Sequence, residues 1–136
     1  MIIVDAGVLI AATDVDDDHH EACSRLFVER GSEFIVPATV VVEVCWMLAG
    51  HVSTAVEAEF LDSIAEGELR VEILDRVDYA RASELVTIYG DFPLGMVDAS
   101  VVAMAERLNI SEVATLDHRH FNVVRPRHVE SFTLLP

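Results

Sequence analysis

Short runs of consecutive apolar residues alternate along this chain with longer stretches in which apolar residues recur every three or four positions. The short runs are rich in β-branched residues, as buried strands are, whereas the longer spacing is typical of amphipathic helices. Strands are predicted at residues 2–4, 33–36, 69–74, 112–115 and 131–135. Because helical stretches lie between them, the pattern predicts an α/β fold whose parallel sheet is covered by helices on both faces.

Residues typical of helix termini predict where these helices begin and end. Starts are predicted at residues 16–18, at Pro37, at Thr54 with Glu57 as a capping box, and at Asp75. Ends are predicted where a glycine can adopt the left-handed conformation, at Gly31, Gly50, Gly67 and Gly90.

The 136 residues, 52% of them hydrophobic, are sufficient for one compact domain whose core needs no disulfide or structural metal. Cys23 and Cys45 lie in predicted helices without metal-ligand spacing, so both are expected to be reduced thiols of a cytoplasmic protein. The longest apolar stretch, residues 34–50, is interrupted by a proline and a glutamate. No membrane span is therefore expected.

Four acidic residues lie in or against strongly apolar segments, where an ionised carboxylate costs free energy unless its charge is compensated. They are Asp5, Glu43, Asp98 and Asp117. Asp5 and Asp117 directly follow predicted strands, and open parallel sheets bind ligands beyond the carboxyl ends of their strands. Glu43 and Asp98 lie on helix faces predicted to point toward the core. A shared divalent metal would hold four converging carboxylates, and ligands that are all oxygen favour Mg2+ or Mn2+.

Each of these acids also has an ordinary structural explanation. Asp5 could cap the following helix, Glu43 could pair with an arginine, and Asp98 could be a first-turn helix acid. Asp117 could be a turn residue, so the metal hypothesis rests on the joint pattern of the four. Trp46 and Met47, beside Glu43, are expected to pack in the core or in an interface. Four histidines lie in two closely spaced pairs, and no cysteine or third histidine completes a zinc site with either pair. They are therefore interpreted as surface residues: His19, His20, His118 and His120.

The net charge of −15 argues against nonspecific adhesion to nucleic acid and favours a basic partner or a bound cation. All nine basic residues are arginines, and three of them, Arg119, Arg125 and Arg127, follow Asp117 in a stretch without acids. Positive charge is thus concentrated beside one of the four carboxylates.

Four segments resemble the PIN-domain ribonucleases, and within them the VapC-type toxins of bacterial toxin-antitoxin pairs. In chain order they are MIIVDAGVLIA, VVVEVCWML, LGMVDASVVAMAERL and VATLDHRHFNVVRP. The resemblance implies a single PIN domain over residues 1–136, folded as a three-layer α/β/α sandwich with a central, mainly parallel sheet of about five strands. It also implies that the four acids form a metal pocket. Asp5 and Asp98 would be central ligands, Glu43 would bind directly or through water, and Asp117 would complete the site or hold a second ion.

The resemblance implies a Mg2+- or Mn2+-dependent endoribonuclease in which an activated water attacks phosphorus and leaves a 5′-phosphate and a 3′-hydroxyl. Its substrates would be structured RNAs such as tRNA or rRNA loops, whose single strands can present a scissile phosphate. Thr115 would be an accessory hydroxyl that orients water, and Arg119, with Arg125 or Arg127, would hold the RNA backbone. A homodimer would join two such basic patches.

A cognate antitoxin of VapB type is a further implication of the resemblance. Such partners lay a helix into an apolar groove beside the acids, whose expected walls are residues 8–12, 26–28 and 48–49. The charge of −15 suits a basic partner.

One position departs from the family pattern, because Gly7 stands where Ser, Thr or Asn is usual two residues after the first Asp. A catalytically weak PIN domain that mainly binds RNA or a partner is therefore the alternative function. A phosphoacceptor signalling domain would also gather aspartates at the sheet edge, but it requires a lysine and this chain has none.

Overall fold

A computed structural model describes all 136 residues. The strands are β1 (Ile2–Val4), β2 (Phe34–Pro37), β3 (Arg70–Glu72), β4 (Glu112–Ala114) and β5 (Thr133–Leu135). The helices are α1 (Ala6–Thr13), α2 (His20–Arg30), α3 (Ala38–His51), α4 (Thr54–Ala65), α5 (Arg76–Ile88), α6 (Met96–Leu108) and α7 (His118–Val123). Every predicted strand is present, within three residues of its predicted limits.

The five strands form one parallel sheet in the order β3-β2-β1-β4-β5. Its first strand is central, since Ile3 of β1 is in register with Ile35 of β2 on one side and Val113 of β4 on the other. The chain first adds β2 and β3 on one side of β1 and then crosses to add β4 and β5 on the other side. The switch point of the strand order therefore lies between β1 and β4. The crevice at such a switch point is where open α/β sheets bind ligands.

Helices cover both faces of this sheet, as the sequence pattern predicts. All three residues of β1 are buried, which a strand achieves only when both of its faces are covered. α1 packs against α2 and α3, α3 packs against α4, and α5 packs along α6. The architecture is the PIN-like three-layer α/β/α sandwich. None of its helices is long and apolar enough to cross a membrane.

The predicted helix limits were partly wrong. Of the four glycines, only Gly67 adopts a left-handed conformation, with φ of 82°, and Asn109 does so at the end of α6 with φ of 56°. Gly50 stays inside α3, which continues to His51. The capping box of α5 is present, because the backbone N–H of Asp75 donates to Asp78 Oδ2 at 2.8 Å.

The start of α4 lies one residue earlier than the sequence motif suggests. Ser53 has an extended backbone, and its hydroxyl accepts a hydrogen bond from the backbone N–H of Val56 at 3.2 Å. Thr54 is already helical, so the prediction of a capping box between Thr54 and Glu57 is wrong.

Trp46 does not pack in the core, so of its two expected environments only an interface stays a prediction. The core face of α3 carries Val40, Val44 and Leu48, which recur every four residues and are fully buried. Trp46 projects from another side of the helix and is 75% exposed. Met47 is half-buried and lies one turn beyond Glu43.

Candidate active site

Asp5 is held by the strand that precedes it and by the helix that it begins. Its backbone N–H donates to the carbonyl of Ala114 on β4 at 2.9 Å. Its Oδ1 accepts from the backbone N–H of Ala6 at 2.8 Å, capping α1, and its Oδ2 accepts from Thr115 Oγ1 at 2.9 Å. Only 7% of Asp5 is exposed, and this burial raises its pKa although both hydrogen bonds favour the ionised form.

Thr115 connects two of the acidic residues. Its hydroxyl is fully buried, donates to Asp5 and accepts from the backbone N–H of Asp117 at 3.0 Å. The hydroxyl proton is therefore committed to a carboxylate. This geometry gives Thr115 a role in orienting Asp5 in addition to any contact with water.

The other three acids are positioned by helices, and Glu43 lies in the second turn of α3. Asp98 lies in the first turn of α6, and Asp117 caps α7 by accepting from the backbone N–H of His120 at 3.1 Å. Burial, followed by the charge of Asp5, raises the pKa of Asp98 to about 6 and also raises the pKa of Glu43.

All four predicted acids line one cleft of about 240 Å³, together with Gly7, Ile10 and Met47. None of the four forms an ion pair with an arginine. Carboxylates gathered in this way raise one another's pKa values, because ionising one disfavours ionising the next. The cleft therefore has the donor set and the unbalanced negative charge that suit a hard divalent cation.

His120 is half-buried and contacts two of these acids, so its assignment to the surface was wrong. Its Nδ1 lies 3.0 Å from Asp98 Oδ2 and 2.7 Å from Asp117 Oδ2. That nitrogen is shielded from solvent, yet neither contact has hydrogen-bond geometry. His118, two residues earlier, is exposed as predicted. The sequence offered one signal for this contact, because Asp117 and His120 are three residues apart and such residues share a helix face. That spacing brings the two side chains together only if a helix begins at Asp117, which the sequence did not predict.

The three arginines proposed to bind RNA lie in different environments. The guanidinium of Arg119 lies 5.2 Å from the ring centre of Phe92, which in turn meets the ring of His120 edge-on at 4.9 Å. The Arg125 side chain donates to the carbonyl of Asn122. Arg127 pairs with Glu84 of α5 at 2.6 Å. Among the three, Arg119 is connected to the acidic cleft.

A larger, mainly apolar cleft of about 390 Å³ lies between α1, α2 and α4. Two of the expected groove walls contribute to it, residues 8–12 and 26–28. The third expected wall, residues 48–49, does not, because Leu48 is buried in the core. α4 supplies that side instead, through Val56, Glu59, Phe60 and Ser63. Although this cleft is larger than the acidic one, it lacks clustered ionisable groups and is suited to packing rather than to hydrolysis.

A parallel sheet in this strand order, with four carboxylates in a cleft beside its switch point, defines the PIN class of α/β proteins. The PIN domain family matches residues 2–125. The chain belongs to the PIN-domain family.

Similar proteins agree with this assignment. The chain is 30% identical over 135 residues to ribonuclease VapC26 of Mycobacterium tuberculosis (strain ATCC 25618 / H37Rv), covering 99% of this chain and 100% of that protein. Its fold resembles that of M. tuberculosis VapC20, a sarcin-ricin loop cleaving toxin, with a TM-score of 0.77 and 18% identity over 83% of this chain and 87% of that one. It also resembles a chain of a toxin-antitoxin complex from Klebsiella pneumoniae, with a TM-score of 0.71 and 14% identity over 95% and 100% of the two chains.

Proposed function

We propose that this protein is a VapC-type toxin, an endoribonuclease that depends on Mg2+ or Mn2+ and hydrolyses phosphodiester bonds in structured RNA. The observation that carries the proposal is the cleft in which four carboxylates converge and none pairs with an arginine. The similarity to a ribonuclease over 99% of the chain supports the same activity.

The chain's own groups have separable roles in this reaction. Asp5 and Asp98 would be the central metal ligands, Glu43 would bind directly or through water, and Asp117 would complete the site or hold a second ion. A bound divalent ion supplies neutralisation of the phosphate charge and a lowered pKa for the attacking water. Thr115 fixes the orientation of Asp5 through its hydrogen bond at 2.9 Å. Burial of Asp5 excludes water from one side of the cleft and strengthens its electrostatic interactions.

RNA binding must overcome a net charge of −15. Arg119 is our candidate for a phosphate contact, because its exposed side chain stacks on Phe92 beside His120. Arg125 is the second candidate, whereas Arg127 would have to exchange its pairing with Glu84 for a phosphate, and a homodimer would bring two such surfaces together. A tRNA or rRNA loop is the proposed substrate class, and the structurally similar VapC20, a sarcin-ricin loop cleaving toxin, is consistent with a looped substrate.

A cognate antitoxin of VapB type is the proposed regulator. The apolar cleft between α1, α2 and α4 has the dimensions and lining for the apolar face of a helix, including Leu9, Ala12, Phe27 and Phe60. The similarity to a chain of a toxin-antitoxin complex supports this arrangement. We further propose that residues 1–136 act as one PIN domain in the cytoplasm.

Metal-dependent RNA cleavage is the direct test of the proposed activity. Incubation of the purified protein with total cellular RNA is expected to create discrete new 5′-phosphate ends when Mg2+ or Mn2+ is present. Chelation should remove these ends because the four carboxylates alone cannot neutralise a phosphate. Sequencing of 5′-phosphate ends measures the result and identifies the target. Folded, metal-binding protein that yields no such ends would contradict the proposed activity.

The weak-catalyst alternative rests on Gly7, which lines the acidic cleft. A Cβ added at this position would lie 3.6 Å from the Cβ of Leu116, an ordinary van der Waals contact. Gly7→Ser is therefore compatible with the fold and provides a comparison in the same assay. If the wild type yields no ends and Gly7→Ser does, the missing hydroxyl accounts for weak catalysis.

The antitoxin groove is tested by changing a residue that the fold does not need. Val28 lines the groove yet is 85% exposed, so Val28→Glu is expected to leave stability and RNA cleavage unchanged. A charge in an apolar interface should weaken antitoxin binding, and growth of cells that co-express toxin and antitoxin measures neutralisation. Ile88→Glu on α5, at a site that is 65% exposed, is the matched control. If the antitoxin still neutralised the Val28→Glu variant fully, the antitoxin would have to bind outside this groove.

A further inference from the structure

We propose that His120 is a direct nitrogen ligand of the divalent ion, in one coordination sphere with Asp98 and Asp117. The inference rests on the proposed function only in requiring that the acidic cleft binds a metal. It adds an imidazole to a site whose four predicted ligands are all carboxylates.

The distances among the three side chains fit a shared ion. Nδ1 of His120 lies 3.0 Å from Asp98 Oδ2 and 2.7 Å from Asp117 Oδ2. One ligand atom from each of the three residues lies within 4.8 Å of the other two. Around an octahedral ion with ligands at about 2.1 Å, adjacent ligands are about 3.0 Å apart and opposite ones about 4.2 Å apart. The two contacts of Nδ1, at 3.0 and 2.7 Å, are therefore close to the spacing of adjacent ligands in one coordination sphere.

The Nδ1 atom also lacks any other partner. It is shielded from solvent and forms no hydrogen bond, although two carboxylate oxygens lie within 3.0 Å. A shielded polar atom without a partner costs free energy, because its hydration is lost and nothing replaces it. A cation among these atoms would remove this cost, because each of the three would become a ligand.

The imidazole is held in place by the protein. Its backbone N–H donates to Asp117 Oδ1 at 3.1 Å, so the first turn of α7 fixes the residue relative to one of its proposed co-ligands. Its ring meets Phe92 edge-on, with centroids 4.9 Å apart and an angle of 81° between the planes. Contacts that orient a ligand before metal binds reduce the entropy lost on coordination. Phe92 thus connects the orientation of His120 with that of Arg119.

A mixed nitrogen and oxygen ligand set has a measurable consequence. Imidazole suits transition metals better than it suits Mg2+, so His120 is expected to raise the preference of the cleft for Mn2+ over Mg2+. A histidine that only balanced the charge of the two aspartates would contact no metal. A direct Mn2+–nitrogen bond distinguishes ligation from charge balance.

Pulsed electron paramagnetic resonance of the Mn2+-loaded full chain tests the proposal, with Mn2+ itself as the probe. The wild type is expected to show ¹⁴N coupling typical of a directly bound imidazole. His120→Gln should lose this coupling and bind Mn2+ at least about tenfold more weakly, with a smaller loss for Mg2+. His118→Gln, which changes an exposed histidine of the same helix, should retain both properties. Circular dichroism checks that the variants are folded.

Two outcomes would overturn the proposal. One is the absence of ¹⁴N coupling in wild-type protein that demonstrably binds Mn2+, a result that does not require any variant to fold. The other is coupling that persists in His120→Gln. Either outcome leaves the ribonuclease proposal standing if metal-dependent RNA ends are still produced. Loss of those ends with ¹⁴N coupling intact would instead contradict the proposed activity while retaining His120 as a ligand.

Discussion

Replacing Asp98 with Asn is expected to abolish RNA cleavage while leaving the fold intact. Asn preserves the volume of the side chain but removes from the acidic cleft a carboxylate that we propose as a metal ligand. Metal ions supply several kcal/mol of transition-state stabilisation, so a loss of about 4 kcal/mol would lower the rate by about 10³-fold. The measurement is the yield of 5′-phosphate ends from total RNA in the presence of Mg2+ or Mn2+.

The same substitution is expected to stabilise the metal-free protein at neutral pH. Burial and Asp5 raise the pKa of Asp98 from 3.8 to about 6, so the folded state binds more protons than the unfolded state within this window. Raising the pH from about 4 to 6 should therefore destabilise the wild type through this group. Asn carries no charge, so in chelator Asp98→Asn should match the wild type near pH 4 and exceed it by about 2 kcal/mol at pH 7.

Urea unfolding at several pH values measures this difference, and added Mn2+ should reduce it by stabilising the wild type. Asp91→Asn is the matched control, because Asp91 is an exposed acid seven residues before Asp98 and lines no cleft. It should change neither cleavage nor stability. Normal cleavage by Asp98→Asn would exclude the proposed ligand, whereas loss of cleavage in both variants would point to a nonspecific effect of charge.

Replacing Arg107 with Met is expected to destabilise the protein by about 3–5 kcal/mol, which is the cost of leaving a buried charge without its partner. Asp78 is only 1% exposed, and the Nε of Arg107 donates to its two carboxylate oxygens at 3.0 and 2.9 Å. The guanidinium also donates to the carbonyl of Ile73 at 3.2 Å. These contacts connect the end of α6 to the start of α5, which explains why a single arginine matters here.

The free energy of unfolding in urea measures this effect. Arg25→Met is the matched control, since Arg25 pairs with Glu21 one turn earlier on α2 and both side chains are largely exposed. An exposed pair of that spacing contributes only about 0.3–0.5 kcal/mol. A second comparison adds Asp78→Asn to Arg107→Met and should recover part of the loss by removing the unpaired charge. A loss below about 1 kcal/mol for Arg107→Met alone would mean that Asp78 is solvated after all.

The elements of this fold were predictable because their signals are local. β-branched runs gave all five strands, and the alternation of strands with helices gave the parallel sheet. The four acids stood out for the same reason, since each lies in or against an apolar segment. Errors fell where two local signals compete. Ser53 rather than Thr54 caps α4, and Gly50 continues α3, because the preceding backbone geometry decides which of two suitable residues is used.

The sequence by itself determined the α/β class, the positions of the strands and the choice of Asp5, Glu43, Asp98 and Asp117 as candidate ligands. Only the tertiary structure decided the strand order, the side of the apolar cleft formed by α4, and the approach of His120 to the acids. These features depend on contacts between segments far apart in sequence, and hydrophobic spacing does not specify which elements become neighbours. Whether a histidine after an aspartate faces solvent or a carboxylate depends on how α7 packs against α6 and Phe92.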